Sequence, residues 1–324
     1  MPRIALLISG ATGYWAEQAL TAYDRFMAAG ADVVVMTPDG SAPVIDPHSL
    51  DPTFHLPAED RGYHAAVCRT FHRDPDHIRI TLHHIVGLEL AASRRIARRL
   101  VLAGHAGAEA HDLVCRAAKI AWRQDRKLVD VMVAEGLDGG LSEDAMRAAV
   151  AELELVSAAM AEECAASLAE IDDLDSPLAL AGQRDAQLEA YDALLVPGGR
   201  GALEDLPFSP DVARLLTVLD AKRSPIATIG HGAAALLAAP DRIDGQWLFE
   251  GFRVTTSTDE EEDQDPPAPP WYVAAALQNA GAILDDAPAP WTSHVVVDQH
   301  LITGQNLYST EATVGAVLKA LDLA

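Results

Sequence analysis

Residues 191–237 read YDALLVPGGRGALEDLPFSPDVARLLTVLDAKRSPIATIGHGAAALL. Two apolar runs, 193–196 and 226–229, are short enough for fully buried parallel strands, and each runs into a glycine cluster, Gly198-Gly199 and Gly230-His231-Gly232. Between them Val212, Leu215, Leu216 and Leu219 recur at helical spacing, which predicts a helix over 210–221. Strand, glycine turn, helix, strand, glycine turn, helix is a βαβα unit, and in such units ligands gather at the carboxyl ends of the strands. The second turn feeds a strand into an alanine-rich helix in the manner of a nucleophile elbow, which lifts one side chain above the sheet. The residue at its tip is Gly230, so no side chain is lifted.

Working outward, residues 3–9 and 31–37 read as two further strands, joined by a helix over 14–29 with Trp15, Ala19, Tyr23 and Phe26 along one side. Beyond the elbow, 248–255 reads as a strand, 259–263 as an acidic run and 265–270 as a proline-rich loop. A helix over 271–280, a short strand at 281–284, a hairpin at 294–303 and a helix over 310–321 complete the chain. The middle is different. Helical periodicity dominates runs at 78–102 and 109–135, and a third run begins after the N-cap candidate Ser142. Three amphipathic helices predict a small antiparallel bundle that interrupts the α/β pattern.

With 24 basic and 48 acidic side chains, the net charge of −24 argues against nucleic acid or an anionic membrane as partner. No apolar stretch is long enough to cross a bilayer, and the N-terminal MPRIALLISG enters a strand pattern with no cleavable leader. Cytoplasmic residence is the expectation. Cys68, Cys115 and Cys164 are widely spaced and make no disulfide framework.

PGG followed by IGHGAAALL resembles the ThiJ/PfpI superfamily, class I glutamine amidotransferase-like, and in particular its glutathione-independent glyoxalase and heat-shock chaperone branch. The loop TPDGSAPVIDPHSL (37–50) and the segment PWTSHVVVDQHLITGQN (290–306) carry the same resemblance. It implies a flavodoxin-like α/β sandwich with a mostly parallel sheet. That domain is expected to be discontinuous, over 1–56 and 185–324, with 57–184 as a helical insertion serving as lid or dimer contact. It also makes a homodimer the default.

In that family the elbow tip is a cysteine nucleophile, followed by a histidine base that a later acid orients, and a glutamate of the first helix hydrogen-bonds the sulfur. Carried over, the tip is Gly230, the base is His231, and the acid is best matched by Glu262, with Glu260 and Glu261 as competing registers. The helix glutamate is replaced by Gln18. Glu17 and Trp15 from the same helix, with the Gly198, Gly199 and Gly230 backbone, complete the expected substrate-binding set. Without sulfur, cysteine-dependent glyoxalase, amidotransferase or protease chemistry is not expected.

What remains suits acid–base work on a small carbonyl-containing metabolite, such as isomerisation, elimination, hydration or cyclisation, with no cofactor and no metal. Two other readings stay open: an inactive family member acting as a binding protein or holdase, and a metal enzyme in the insertion. The last rests on His64, His72, His77, His83, His84, His105 and His111, which lie close together but at no metal-ligand spacing. Gly10-Ala11-Thr12-Gly13 lacks the three-glycine dinucleotide fingerprint.

Overall fold

A computed structural model of the chain describes residues 1–11, 13–57, 59–60, 63, 82–264 and 269–324. The chain divides into two compact units, residues 1–50 with 164–324 and residues 51–163.

The first unit is a flavodoxin-like α/β fold on a seven-stranded sheet ordered β3-β2-β1-β4-β5-β9-β8. These strands are β1 Arg3–Leu7, β2 Asp32–Thr37, β3 Leu178–Ala179, β4 Ala193–Val196, β5 Ile226–Ile229, β8 Val295–Asp298 and β9 Leu301–Gly304. All neighbours pair parallel except β8, which returns antiparallel on β9 as the sequence hairpin predicts.

Alternation along the strands sorts side chains onto two faces. Ala5, Leu7, Leu194, Val196 and Ile226 join the helices Pro210–Lys222 and Val273–Ala280 in one core. Ile4, Leu6, Ala193, Leu195, Ala227 and Ile229 join the helices Ala16–Ala28 and Thr310–Ala320 in the other. Both faces being covered explains why the strands are continuous apolar runs. Because β1 has β2 on one side and β4 on the other, strand order reverses there. The crevice outside the carboxyl ends of β1 and β4 is the place such folds offer to a ligand.

Helix Pro210–Lys222 begins as its sequence suggests, with Pro210 at its first position and Ser209 Oγ accepting the Val212 N–H at 3.3 Å. Three readings need correction. The segment after the elbow, Gly230–Ala238, is a 3₁₀ helix rather than an α-helix. The strand expected over 248–255 is only β6, Arg253–Val254, paired with β7, Ile283–Leu284, in a separate two-stranded sheet. Its apolar start instead forms a core knot, where Phe249 meets Trp247 and Phe252 edge-on at centroid distances of 5.5 and 5.7 Å. And Cys164, Leu168, Ile171 and Leu174 pack into the core of the sheet unit, while Leu178 and Ala179 pair with β2. The residues of 164–184 therefore belong with the α/β unit, although their sequence reads as more of the helical run.

In the second unit the long helical runs are broken. Helix Ser93–Leu102 is separated from Leu82–Gly87 by Glu89, at φ 63, and helix Gly107–Gln124 from Leu128–Ala134 by Asp125, at φ 52. Glu89 holds its left-handed backbone with a buried carboxylate that accepts the Val129 N–H at 3.2 Å and pairs with Lys127 at 3.3 Å. Ser142 Oγ accepts the Ala145 N–H at 3.2 Å at the start of Glu143–Ala169. Asp60, fully buried, is flanked by Arg94 and Arg95 at 3.3 and 3.2 Å.

Candidate active site

The glycine turns after β4 and β5 bring their backbones together. Gly199, at φ +107, lies so close to the Gly13–Trp15 backbone that a Cβ would stand 2.6 Å from Gly13 O and Tyr14 Cα. Trp15 donates its N–H to Gly198 O at 2.9 Å. Gln18 Oε1, on a side chain only 4% exposed, accepts the Gly198 N–H at 2.6 Å. That N–H is therefore spent on Gln18, which removes it from the backbone groups expected to bind substrate.

Gly230, at φ +52, has the left-handed backbone of a sharp tip. His231 follows with its imidazole largely covered, and its Nε2 stands 2.7 Å from Glu262 Oε1, itself buried. At that distance the two side chains form an ion pair whenever the ring is protonated.

The acidic run is a short helix, Asp259–Gln264, and its geometry separates Glu261 from Glu262. Successive helical positions differ by about 100°, so Glu262 faces His231 and Glu261 faces away. Glu261 is buried in a cage of amides: Oε1 accepts N–H groups from Trp291 at 2.6 Å, Asn306 at 2.7 Å and Gln305 at 2.9 Å, and Oε2 accepts the Thr258 N–H at 3.0 Å. Burial pushes its carboxyl up to about 7, against the lowering pull of those four donors. This amide cage, drawn from the end of β9 and the segment before β8, was not found from the sequence. A Gln-Asn pair after a strand carries no signal of its partner in a distant acidic run.

The strap between β6 and that helix is also anchored. Thr255 donates its N–H to Thr303 Oγ1 at 2.9 Å, and Thr256 Oγ1 donates to Gly230 O at 2.9 Å. Both threonines are fully buried. Ser257 comes next and is partly exposed, with its Oγ 3.2 Å from where a Cβ of Gly230 would stand.

The remaining sequence candidates lie apart from this contact. Glu17, half-buried, is beside Cys164, where it and Asp24 reinforce burial in pushing the thiol up to about 12. His105 Nε2 hydrogen-bonds Gly139 O at 2.7 Å and His111 Nδ1 lies 2.9 Å from the Tyr63 hydroxyl. His64, His72 and His77, and the side chains of His83 and His84, lie outside the described residues. Among the described residues no three His, Cys, Asp or Glu side chains are grouped to hold a metal ion. Nor is any described helix long and apolar enough to cross a membrane.

The parallel sheet, the two glycine turns and the histidine beside them define the class. The chain belongs to the DJ-1/PfpI family, whose family model matches residues 134–320. It is similar to the bovine (Bos taurus) glutamine amidotransferase-like class 1 domain-containing protein 1, 40% identical over 130 residues, which are 40% of this chain and 58% of the relative. It is also similar to the protein/nucleic acid deglycase HchA of Pseudomonas aeruginosa, 33% identical over 124 residues, which are 36% of this chain and 42% of the relative. The matched segment thus spans little more than half the length of the bovine relative, and less of the deglycase. In fold it resembles the crystal structure of glyoxalase III from Candida albicans, with a TM-score of 0.51, 17% identity, and coverage of 98% of this chain and 95% of that one. Proteins named as a deglycase and a glyoxalase are thus among those the chain is similar to.

Proposed function

We propose that this chain is a cofactor-independent enzyme that moves protons on a small carbonyl-containing metabolite, as an isomerase, lyase or hydratase does. The observation that carries the reading is the 2.7 Å contact between His231 Nε2 and the buried Glu262 carboxylate. A carboxylate there stabilises the imidazolium formed when the ring takes a proton, the role a neighbouring acid plays in base catalysis. A positioned base of this kind contributes about 10²–10⁴ in rate. Gln18 holds the Gly198 turn in place with its carbonyl and leaves its amide as a neutral donor.

Gly230 stands where the resemblance puts the nucleophilic cysteine, and the absence of that sulfur is part of the proposal. The names deglycase and glyoxalase among the relatives support carbonyl compounds as the substrate class. The chain is proposed to act as a cytoplasmic homodimer whose helical unit serves as lid or dimer contact.

Proton NMR in D₂O tests the reading with a panel of small aldehydes and ketones, starting from hydroxyacetone and methylglyoxal. The enzyme is expected to speed deuterium incorporation next to the carbonyl, and His231→Ala to remove that acceleration. A wild-type protein that exchanges no member of the panel faster than buffer overturns it. A second reading, a family member that binds without turnover, is favoured by the bare tip at Gly230. Ligand-induced shifts in the NMR spectrum without exchange would establish it.

A further inference from the structure

We infer that Ser257 is a further catalytic residue of this site, supplying the hydroxyl that hydrogen-bonds the substrate's carbonyl oxygen while His231 removes the neighbouring proton. The inference rests on the acid–base reading above and adds the group that reading lacks. Taking a proton from carbon next to a carbonyl leaves charge on oxygen, and a donor must already point at that oxygen. The Gly198 N–H, the first candidate, is engaged by Gln18.

Three observations single out Ser257. At the tip, Ser257 Oγ lies 3.2 Å from where a Cβ of Gly230 would stand, the nearest heavy atom to it outside the adjoining residues, so the hydroxyl sits where the family places its nucleophile's side chain. The loop cannot drift. Thr256 Oγ1 is bonded to Gly230 O, the preceding Thr255 to Thr303, and the following Thr258 N–H to Glu261. Its neighbours on the strap, Thr255 and Thr256, are spent on the protein, whereas the Ser257 hydroxyl has no hydrogen-bond partner among the described residues and is partly exposed. A hydroxyl held in place, open to solvent and with its proton uncommitted has the properties of a preorganised donor.

The same geometry argues against a nucleophile. A serine nucleophile is hydrogen-bonded to its base, and Ser257 makes no such bond to His231. The step is therefore a balanced proton transfer. The C–H bond breaks, its electron pair passes into the carbonyl to give an enolate, and the proton goes to the His231 imidazole. Ser257 O–H donates to the enolate oxygen, and a proton from the imidazolium or solvent returns to carbon or oxygen.

Deuterium exchange of hydroxyacetone, read for wild type, His231→Ala, Ser257→Ala and Ser257→Thr, tests the inference. Loss of one such donor lowers turnover by about 10²–10³, so Ser257→Ala is expected to fall about a hundredfold, while Ser257→Thr, which keeps the hydroxyl, stays within about tenfold. Full exchange in Ser257→Ala alongside none in His231→Ala overturns the role of Ser257 and leaves the acid–base reading standing. Absence of exchange in wild type removes both. Far-UV circular dichroism of each variant establishes that the fold is kept, which substitution of a partly exposed hydroxyl on an anchored strap does not disturb.

Discussion

Gln18 Oε1 and the Gly198 N–H meet at 2.6 Å across 180 residues of sequence, tying the first helix to the turn after β4. Gln18→Ala leaves that buried donor unsatisfied, which costs about 1–3 kcal/mol. A urea denaturation curve is expected to show a midpoint shift with an unchanged slope. A shift of under about 0.5 kcal/mol would mean the donor finds another partner.

Glu261 makes stability depend on pH. Its folded carboxyl is raised by burial from 4.5 to about 7, so the fold favours the protonated form. Its contribution is fully present below pH 4.5 and is lost as pH rises through about 7. At about 1.4 kcal/mol per pH unit, the loss comes to about 3 kcal/mol. Glu261→Gln cannot ionise, so urea midpoints measured at pH 4.5 and pH 8 are expected to differ less in the variant than in wild type. An equal difference in both proteins would place the dependence elsewhere.

Gly230→Ala imposes a side chain on φ +52 and sets its methyl 3.2 Å from Ser257 Oγ. The backbone penalty alone is about 1–2 kcal/mol, so a melting temperature several degrees lower is expected by calorimetry. Hydroxyacetone exchange is expected to fall as well, since the methyl displaces the Ser257 hydroxyl.

Cys164 should resist alkylation in the folded protein. Its thiol is pushed up to about 12 by burial and the carboxylates of Glu17 and Asp24, and the thiolate is the reactive form. Mass spectrometry after iodoacetamide at pH 8 is expected to show labelling at least about a hundredfold slower than in urea. Rapid native labelling would place Cys164 in an open, electropositive setting instead.

Much of the α/β unit was legible because its strands are buried on both faces and end in glycine turns, so Leu194, Leu195, Ile226 and Ile229 mark themselves. The His231 position was legible from the same turns, and Glu262 only as one of three adjacent glutamates. Which of them faces the imidazole depends on where the short helix starts, and that depends on Glu261 finding Trp291, Gln305 and Asn306. Ser257 was illegible for a similar reason: it reaches Gly230 across a loop, with no periodicity to announce it. Glu89 and Asp125 break helices from left-handed backbones without glycine or proline. At Glu89 the compensation is tertiary, through Val129 and Lys127. The residues of 164–184 group with the α/β unit yet read as more of the helical run, because a helix that changes neighbours keeps its periodicity.

The strap over residues 255–262 carries Ser257 and Glu262 together between two anchors, Thr256 on Gly230 and Glu261 in its amide cage. Hydroxyl and carboxylate thus sit on one short anchored segment. Grafting these eight residues into a relative would transfer both groups in a single exchange, provided the recipient has the tip carbonyl and the Gln-Asn pair to dock it. A single inserted residue ahead of Glu261 would rotate the wrong carboxylate toward the ring and disable both at once.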